Sequence, residues 1–188
     1  MTPYTNAAHN VDSDIVFVLQ DWSSVEAIEE LIKGKRLDEV VEKGYDKRRS
    51  TNKRFKKLLR DYLKKEQCKE FEDIFVTNLF PYIKEGKINA GIPEEYLRMA
   101  YGDFLEPQVD IVKPKAVVCL GRRVSKAIPD EIKLEKEDCS GKLEIFKVKE
   151  ITYFGLYHPA APYIRNQTRN EQWSEFVKRY NLLISDSH

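Results

Sequence analysis

The run Ile15-Val16-Phe17-Val18-Leu19 does most to limit what this chain can fold into. Five consecutive apolar residues, three of them β-branched, read as a strand buried on both faces. The run stops at the polar pair Gln20-Asp21, and Ser23 with Glu26 three residues on has the spacing of a capping box that opens a helix. A strand that meets a carboxylate and turns straight into a helix is how an open α/β sheet presents a working group. Ligands in such sheets sit outside the carboxyl ends of the strands. Other strand ends are therefore expected to deliver polar residues beside Asp21.

Three further apolar runs meet that expectation. Residues 73–77 end at Asn78, residues 116–120 end at Gly121, and residues 151–156 end at Tyr157-His158-Pro159. Residues 143–148 alternate as an edge strand does. Helical patterns lie between the strands: residues 25 to about 43 with Gly34 as a break, and residues 94–112 with an interruption at Pro107 and a stop at Pro114. Thr51 or Asn52 caps another helix, whose Phe55, Leu58, Leu59, Tyr62 and Leu63 form one apolar face. A short helix surrounds residues 122–128. Thr168 and Glu171 form a second capping box before a closing helix that buries Trp173, Phe176, Val177, Tyr180 and Leu183. Residues 79–93 read as a long loop and 129–142 as charged and irregular. Alternating strands and helices predict a three-layer α/β/α fold with a central, mainly parallel, four-stranded sheet. One domain over residues 1–188 is expected, with residues 1–13 a loose arm.

Composition narrows the function classes. The chain has 32 basic and 31 acidic residues, so its formal charge of +1 lacks the overall basic footprint of many nucleic-acid binders. A local basic face offset by acid elsewhere remains compatible: Lys53, Arg54, Lys56, Lys57, Arg60, Lys64 and Lys65 cover the outer sides of one helix. That face is either solvated or in contact with a polyanion. Cys68, Cys119 and Cys139 fit no disulfide framework and no zinc or iron–sulfur spacing. No apolar signal core and no run of membrane-span length is present. A soluble cytoplasmic monomer is expected, with no membrane partner, no metal and no organic cofactor.

The candidate residues each carry a plain reading beside the functional one. Asp21 is either a helix N-terminal acid or a catalyst. Asn78 is a turn former or a ligand-binding residue. His158 is one of three histidines, the others being His9 and His188 at the termini. After it comes Pro159-Ala160-Ala161-Pro162-Tyr163-Ile164-Arg165, a loop stiffened by two prolines. Tyr163 and Ile164 either pack onto the closing helix or form an exposed tip suited to wedge into a base stack.

Four motifs in order carry a resemblance. Leu19-Gln20-Asp21-Trp22, Thr77-Asn78-Leu79-Phe80, Pro114-Lys115-Ala116-Val117-Val118-Cys119-Leu120-Gly121 and His158-Pro159-Ala160-Ala161-Pro162 span residues 15 to about 165. Together they resemble the uracil-DNA glycosylase superfamily. The resemblance implies hydrolysis of the bond between a flipped-out damaged base and deoxyribose. Asp21 would orient the attacking water and stabilise the sugar cation, and His158 would hydrogen-bond the base oxygen that gains negative charge. Asn78 would read the base edge, Gln20 would contribute to the same pocket, and Tyr45 or Phe80 would provide an aromatic platform. Tyr163 and Ile164 would wedge the stack while Arg165 reaches a phosphate. DNA containing a damaged base is the implied partner, with uracil the default base.

This chain departs from well-known members in having Leu19 and Trp22 around the Gln-Asp pair and Ala160 in the histidine loop. It also lacks the four cysteines of the iron–sulfur branch. No lysine stands out as a Schiff-base nucleophile, so a monofunctional glycosylase is expected. Two rival readings are a glycosylase-fold protein that binds nucleic acid or a protein without cutting, and a hydrolase of small nucleosides. Trp22 closing the crevice would favour the binder; activity on free nucleosides would favour the small-molecule hydrolase.

Overall fold

The computed structural model describes residues 10–63, 74–139 and 143–185. Strand β1 (Ile15–Asp21) sends Ile15, Phe17 and Leu19 into one apolar layer and Val16 and Val18 into the other. Burial on both faces is what a parallel strand covered by helices requires. It pairs in parallel with β2 (Phe75–Phe80) on one side and β3 (Ala116–Leu120) on the other, and β3 pairs in parallel with β6 (Ile151–Leu156). Strands β5 (Leu143–Val148) and β4 (Leu134–Cys139) add an antiparallel pair, giving the order β2-β1-β3-β6-β5-β4.

The sheet therefore has six strands where four were expected. Strand β4 reads Leu-Glu-Lys-Glu-Asp-Cys and has no apolar alternation to mark it. A charged sequence on an outermost strand discourages pairing with another chain. Within residues 129–142, expected to be irregular, it is the backbone ladder to β5 that makes the strand. Strand β2 also runs past Asn78 to Phe80; Asp73, expected at its start, lies outside the described residues.

Helix boundaries shift for local reasons. Helix α1 (Val25–Lys33) is capped by Ser24, whose Oγ accepts from the Ala27 N–H at 3.4 Å, one residue later than the expected Ser23. Gly34 ends it, and α2 (Leu37–Lys43) closes at Gly44 with φ 75°, a left-handed value that suits glycine. Helix α3 (Ser50–Leu58) starts ahead of both expected caps, because the Asn52 Nδ2 turns back to the Asp46 carbonyl at 2.9 Å. A single wide π-type turn, Leu59–Leu63, extends it; Lys64 and Lys65 lie outside the described residues.

Helices α4 (Glu94–Ala100) and α5 (Glu106–Val112) are joined by a second wide turn, Tyr101–Leu105. That turn falls just before Pro107, which has no N–H to give to a regular ladder. Helix α6 is short (Arg122–Ala127), and α7 (Asn166–Ser185) begins early enough that Thr168 lies inside its first turn rather than at its cap. Among the described residues no helix is long and apolar enough to cross a membrane.

The layers follow from these faces. Helices α3 and α7 cover the side of the sheet that carries Phe17, while α4, α5 and α6 cover the side that carries Val16 and Val18. Since the connection from β1 to β2 runs over one face and that from β2 to β3 over the other, the strand order reverses beside β1. The crevice at the carboxyl ends of β1 and β3 is the place where such sheets bind ligands. Trp173 of α7 anchors the first layer, stacked on Phe17 at 6.1 Å and edge-on to Phe176 at 5.7 Å. Trp173→Ala is expected to lower folding stability by about 3–5 kcal/mol, read as a shift in the urea midpoint with an unchanged slope.

Candidate active site

A cleft of about 510 Å³ opens at that crevice, and Asp21, Trp22, Lys84, Asn89, His158 and Tyr163 are among its walls. Asp21 ends β1, so the parallel register that aligns β1 with β2 and β3 fixes its height. Its carboxylate is held on both oxygens. Gln20 donates Nε2 to Oδ2 at 2.8 Å, and Lys84 places Nζ 3.1 Å from Oδ1. The Lys84 side chain is only 7% exposed.

Nothing in the order of residues singles out Lys84. It belongs to the stretch expected to be a long loop, and no periodicity or motif surrounds it. The structure ties this loop to the start of α1: the Lys84 N–H donates to the Ser23 carbonyl at 3.3 Å, and the Val25 N–H donates to the Lys84 carbonyl at 2.9 Å. Those two bonds make a short parallel bridge, which directs the lysine stem toward the end of β1. A charge buried this far needs a partner, and Asp21 supplies it.

His158 follows β6 and faces the same cleft. The Gly121 N–H donates to the Leu156 carbonyl at 2.7 Å, binding the ends of β3 and β6 together. Gly121 itself adopts φ 119°, a backbone conformation that side-chain-bearing residues rarely take, so glycine makes the turn beside His158. The Ala160 N–H donates to His158 Nδ1 at 3.2 Å. Nδ1 is therefore the acceptor, and in the neutral ring the proton sits on Nε2. Burial lowers the His158 pKa below the ordinary value of 6.5; Asp21 opposes that shift and the charge of Arg169 adds to it.

Two polar residues on the apolar stripe of α7 hold the histidine loop. Arg169, 4% exposed, donates Nη2 to the carbonyls of Ala161 at 2.9 Å and Ile164 at 3.3 Å, and Nη1 to Asn166 Oδ1 at 3.0 Å. Gln172 accepts the Tyr157 N–H at 2.7 Å. Their signal in the sequence is positional: they occupy the same helical stripe as Trp173, Phe176 and Tyr180, where an unaided polar group would be costly.

Not every expected site residue joins this cleft. Gln20, Asp21, His158 and Tyr163 line it together. Tyr163 is the exposed tip at 83%, whereas Ile164 is half-buried and Arg165 is exposed. Asn78 is buried within β2, in register with Leu19, and is not among the lining residues; its Nδ2 has no hydrogen-bond partner among the described residues. Tyr45 is buried in the layer of Phe55, with Lys56 Nζ 5.3 Å from its ring centre. Phe80 packs toward the opposite layer and meets Tyr82 edge-on at 5.3 Å. Neither aromatic ring lines the cleft. Trp22 forms part of the wall and leaves Asp21 and His158 both facing open space.

The family model described as the Uracil DNA glycosylase superfamily matches residues 4–183. The chain belongs to this superfamily. It is similar to proteins named Type-4 uracil-DNA glycosylase from three organisms. With that of Archaeoglobus fulgidus it shares 32% identity over 112 residues, covering 57% of this chain and 55% of that protein. With that of Sulfurisphaera tokodaii the figures are 31% over 134 residues, 69% and 60%. With that of Saccharolobus solfataricus they are 28% over 119 residues, 61% and 54%. The matches thus span little more than half the length of these relatives.

The iron–sulfur branch of the superfamily needs four thiolates, and this chain has three cysteines. Cys119 is fully enclosed in β3, where burial pushes its thiol pKa up and away from the thiolate that a metal binds. The residues present do not fit such a cluster.

The shift on His158 has a measurable sign. Its NMR titration midpoint is expected below 6.5. Asp21→Asn should move it further down, because the carboxylate that favours the charged ring is gone. As pH falls through 6.5 the unfolded chain takes this proton first, so the fold loses stability from there down to the His158 midpoint. A midpoint above 6.5 in the folded protein would contradict the buried, neutral imidazole.

Proposed function

We propose that this chain is a DNA glycosylase that hydrolyses the bond between a flipped-out damaged base, uracil by default, and its deoxyribose. The observation that carries the reading is the pairing of Asp21 with a histidine whose proton is confined to Nε2, across one cleft at the sheet's switch point. Breaking a base–sugar bond leaves positive charge on the sugar and negative charge on the departing base. Asp21 holds the attacking water at the anomeric carbon and stabilises the sugar cation. His158 donates Nε2–H to the base oxygen as the negative charge develops there, and an imidazole that stays neutral by burial is suited to that donation. Base release and water attack complete the hydrolysis without an oxidant or reductant.

The buried Asn78 Nδ2 has no hydrogen-bond partner among the described residues but lies off the cleft wall, so Asn78 is left out of this reading. The Tyr163 tip with Ile164 beside it in the chain is the wedge, and the exposed Arg165 is available to a phosphate. The relatives' names supply the default base, since each is called a uracil-DNA glycosylase.

Charge is segregated in a way that suits a nucleic-acid strand. Residues 47–60 hold eight basic residues and no acid, so the rest of a +1 chain carries a net charge of −7. Arg49, Thr51 and Asn52, around the start of α3, line the cleft, and Lys53, Arg54 and Lys57 are exposed along the helix. The start of α3 and the histidine loop line the same cleft. A strand whose flipped nucleotide enters the cleft would run its phosphates along α3.

The test of catalysis is base release from labelled oligonucleotides carrying uracil, hypoxanthine or a mismatch, read as strand breakage after alkali. The folded protein is expected to act on at least one of these, with Asp21→Asn and His158→Ala each slower by roughly 10²–10⁴-fold. No breakage on any substrate would refute the glycosylase reading and leave a binding protein. The DNA face has a separate test. Lys53→Ala combined with Lys57→Ala should weaken DNA binding and flatten its log–log salt slope by about 1–2; an unchanged slope returns α3 to solvent.

A further inference from the structure

We infer that Lys84 gives this site a second activity: covalent, reversible capture of the abasic product as a Schiff base. The inference rests on the glycosylase reading above, since that reaction is what leaves a deoxyribose without its base in the cleft. The ring-opened form of such a sugar carries an aldehyde at C1′. A primary amine beside an aldehyde forms an imine, and lysine is the side chain that does so in enzymes.

The placement is specific. Lys84 Nζ is 3.1 Å from the carboxylate oxygen of Asp21, the residue assigned to hold water against the same C1′. Lys84 lines the cleft rather than the outer surface, and its loop is fastened to Ser23 and Val25 by two backbone hydrogen bonds. A lysine in this place is also chemically distinct from the residue that usually serves buried ion pairs. Arginine keeps its proton and forks onto a carboxylate, whereas a buried lysine gives up its proton readily enough to act as a nucleophile.

The steps balance without an added reagent. The Lys84 ammonium passes one proton to the Asp21 carboxylate across their hydrogen bond. The free amine adds to the C1′ aldehyde, forming a C–N bond and a carbinolamine. Asp21 returns the proton to the carbinolamine hydroxyl, the C–O bond breaks, and water leaves a protonated imine. Net, one ammonium and one aldehyde give one iminium ion and one water, and hydrolysis reverses the sequence. While the imine lasts, the reactive aldehyde is held inside the protein.

The experiment uses oligonucleotides that already contain an abasic site, with sodium borohydride to reduce any imine to a stable amine. Wild-type protein is expected to give a protein–DNA adduct on denaturing gels, and peptide mapping by mass spectrometry should place it on Lys84. Lys84→Arg keeps a cation against Asp21 and cannot form an imine, so its adduct should fall at least tenfold while it still binds the DNA. Lys87→Gln, on the same loop and exposed, should trap like wild type. No adduct from wild-type protein that binds the abasic strand overturns the inference. So does an adduct mapped to another lysine or to the N-terminal amine, or one undiminished in Lys84→Arg. Release of free base from uracil-containing DNA, followed separately by chromatography, reports on the glycosylase reading alone, so either proposal can fail without the other.

Discussion

Parallel pairing on both sides of β1 is the constraint on which the rest depends. It brings the carboxyl ends of β1, β2, β3 and β6 to one edge of the sheet, whatever follows them in the chain. Such pairing is possible only if both faces of β1 are covered, because its side chains alternate into two apolar layers. The aromatic packing of Trp173, Phe17 and Phe55 on one side, and the long helical run over α4 and α5 on the other, therefore also determine where Asp21 is held.

Within that edge, two buried polar side chains of α7 serve a loop. Arg169 and Gln172 sit in the apolar stripe of α7 and satisfy backbone groups of residues 157–164. This arrangement fixes a proline-stiffened loop to the most deeply packed helix of the fold. It explains how a tip as exposed as Tyr163 can sit next to a histidine whose ring position is fixed by a single backbone N–H. The tip is free because its base is held.

The cleft's electrostatics come from few groups at short range. Asp21 faces a buried ammonium on one oxygen and an amide on the other, while His158 loses its proton affinity mainly through burial. An anion with both oxygens engaged is held in one orientation, which is what positioning a water at a fixed point demands. Lys84 makes Asp21 part of a pair, so chemistry at this carboxylate is also chemistry at the amine.

Much of this could be read from the residues in order. The run Ile15–Leu19 followed by Gln20-Asp21, and His158 placed after another apolar run, announce a parallel sheet with a polar working edge because periodicity and strand ends are local properties. The fourth motif similarly marks a stiff loop by its prolines. Local rules stop where partners are distant in sequence. Strand β4 exists because β5 offers it a ladder, and its charged residues carry no trace of that. Asn78, Tyr45 and Phe80 were assigned by order along the chain, but twist and layer membership, which only packing decides, keep all three off the cleft wall. Lys84 is the clearest case: 63 residues from Asp21, it comes to line the cleft only because a loop bridge to α1 and the cost of an unpaired buried charge bring it there.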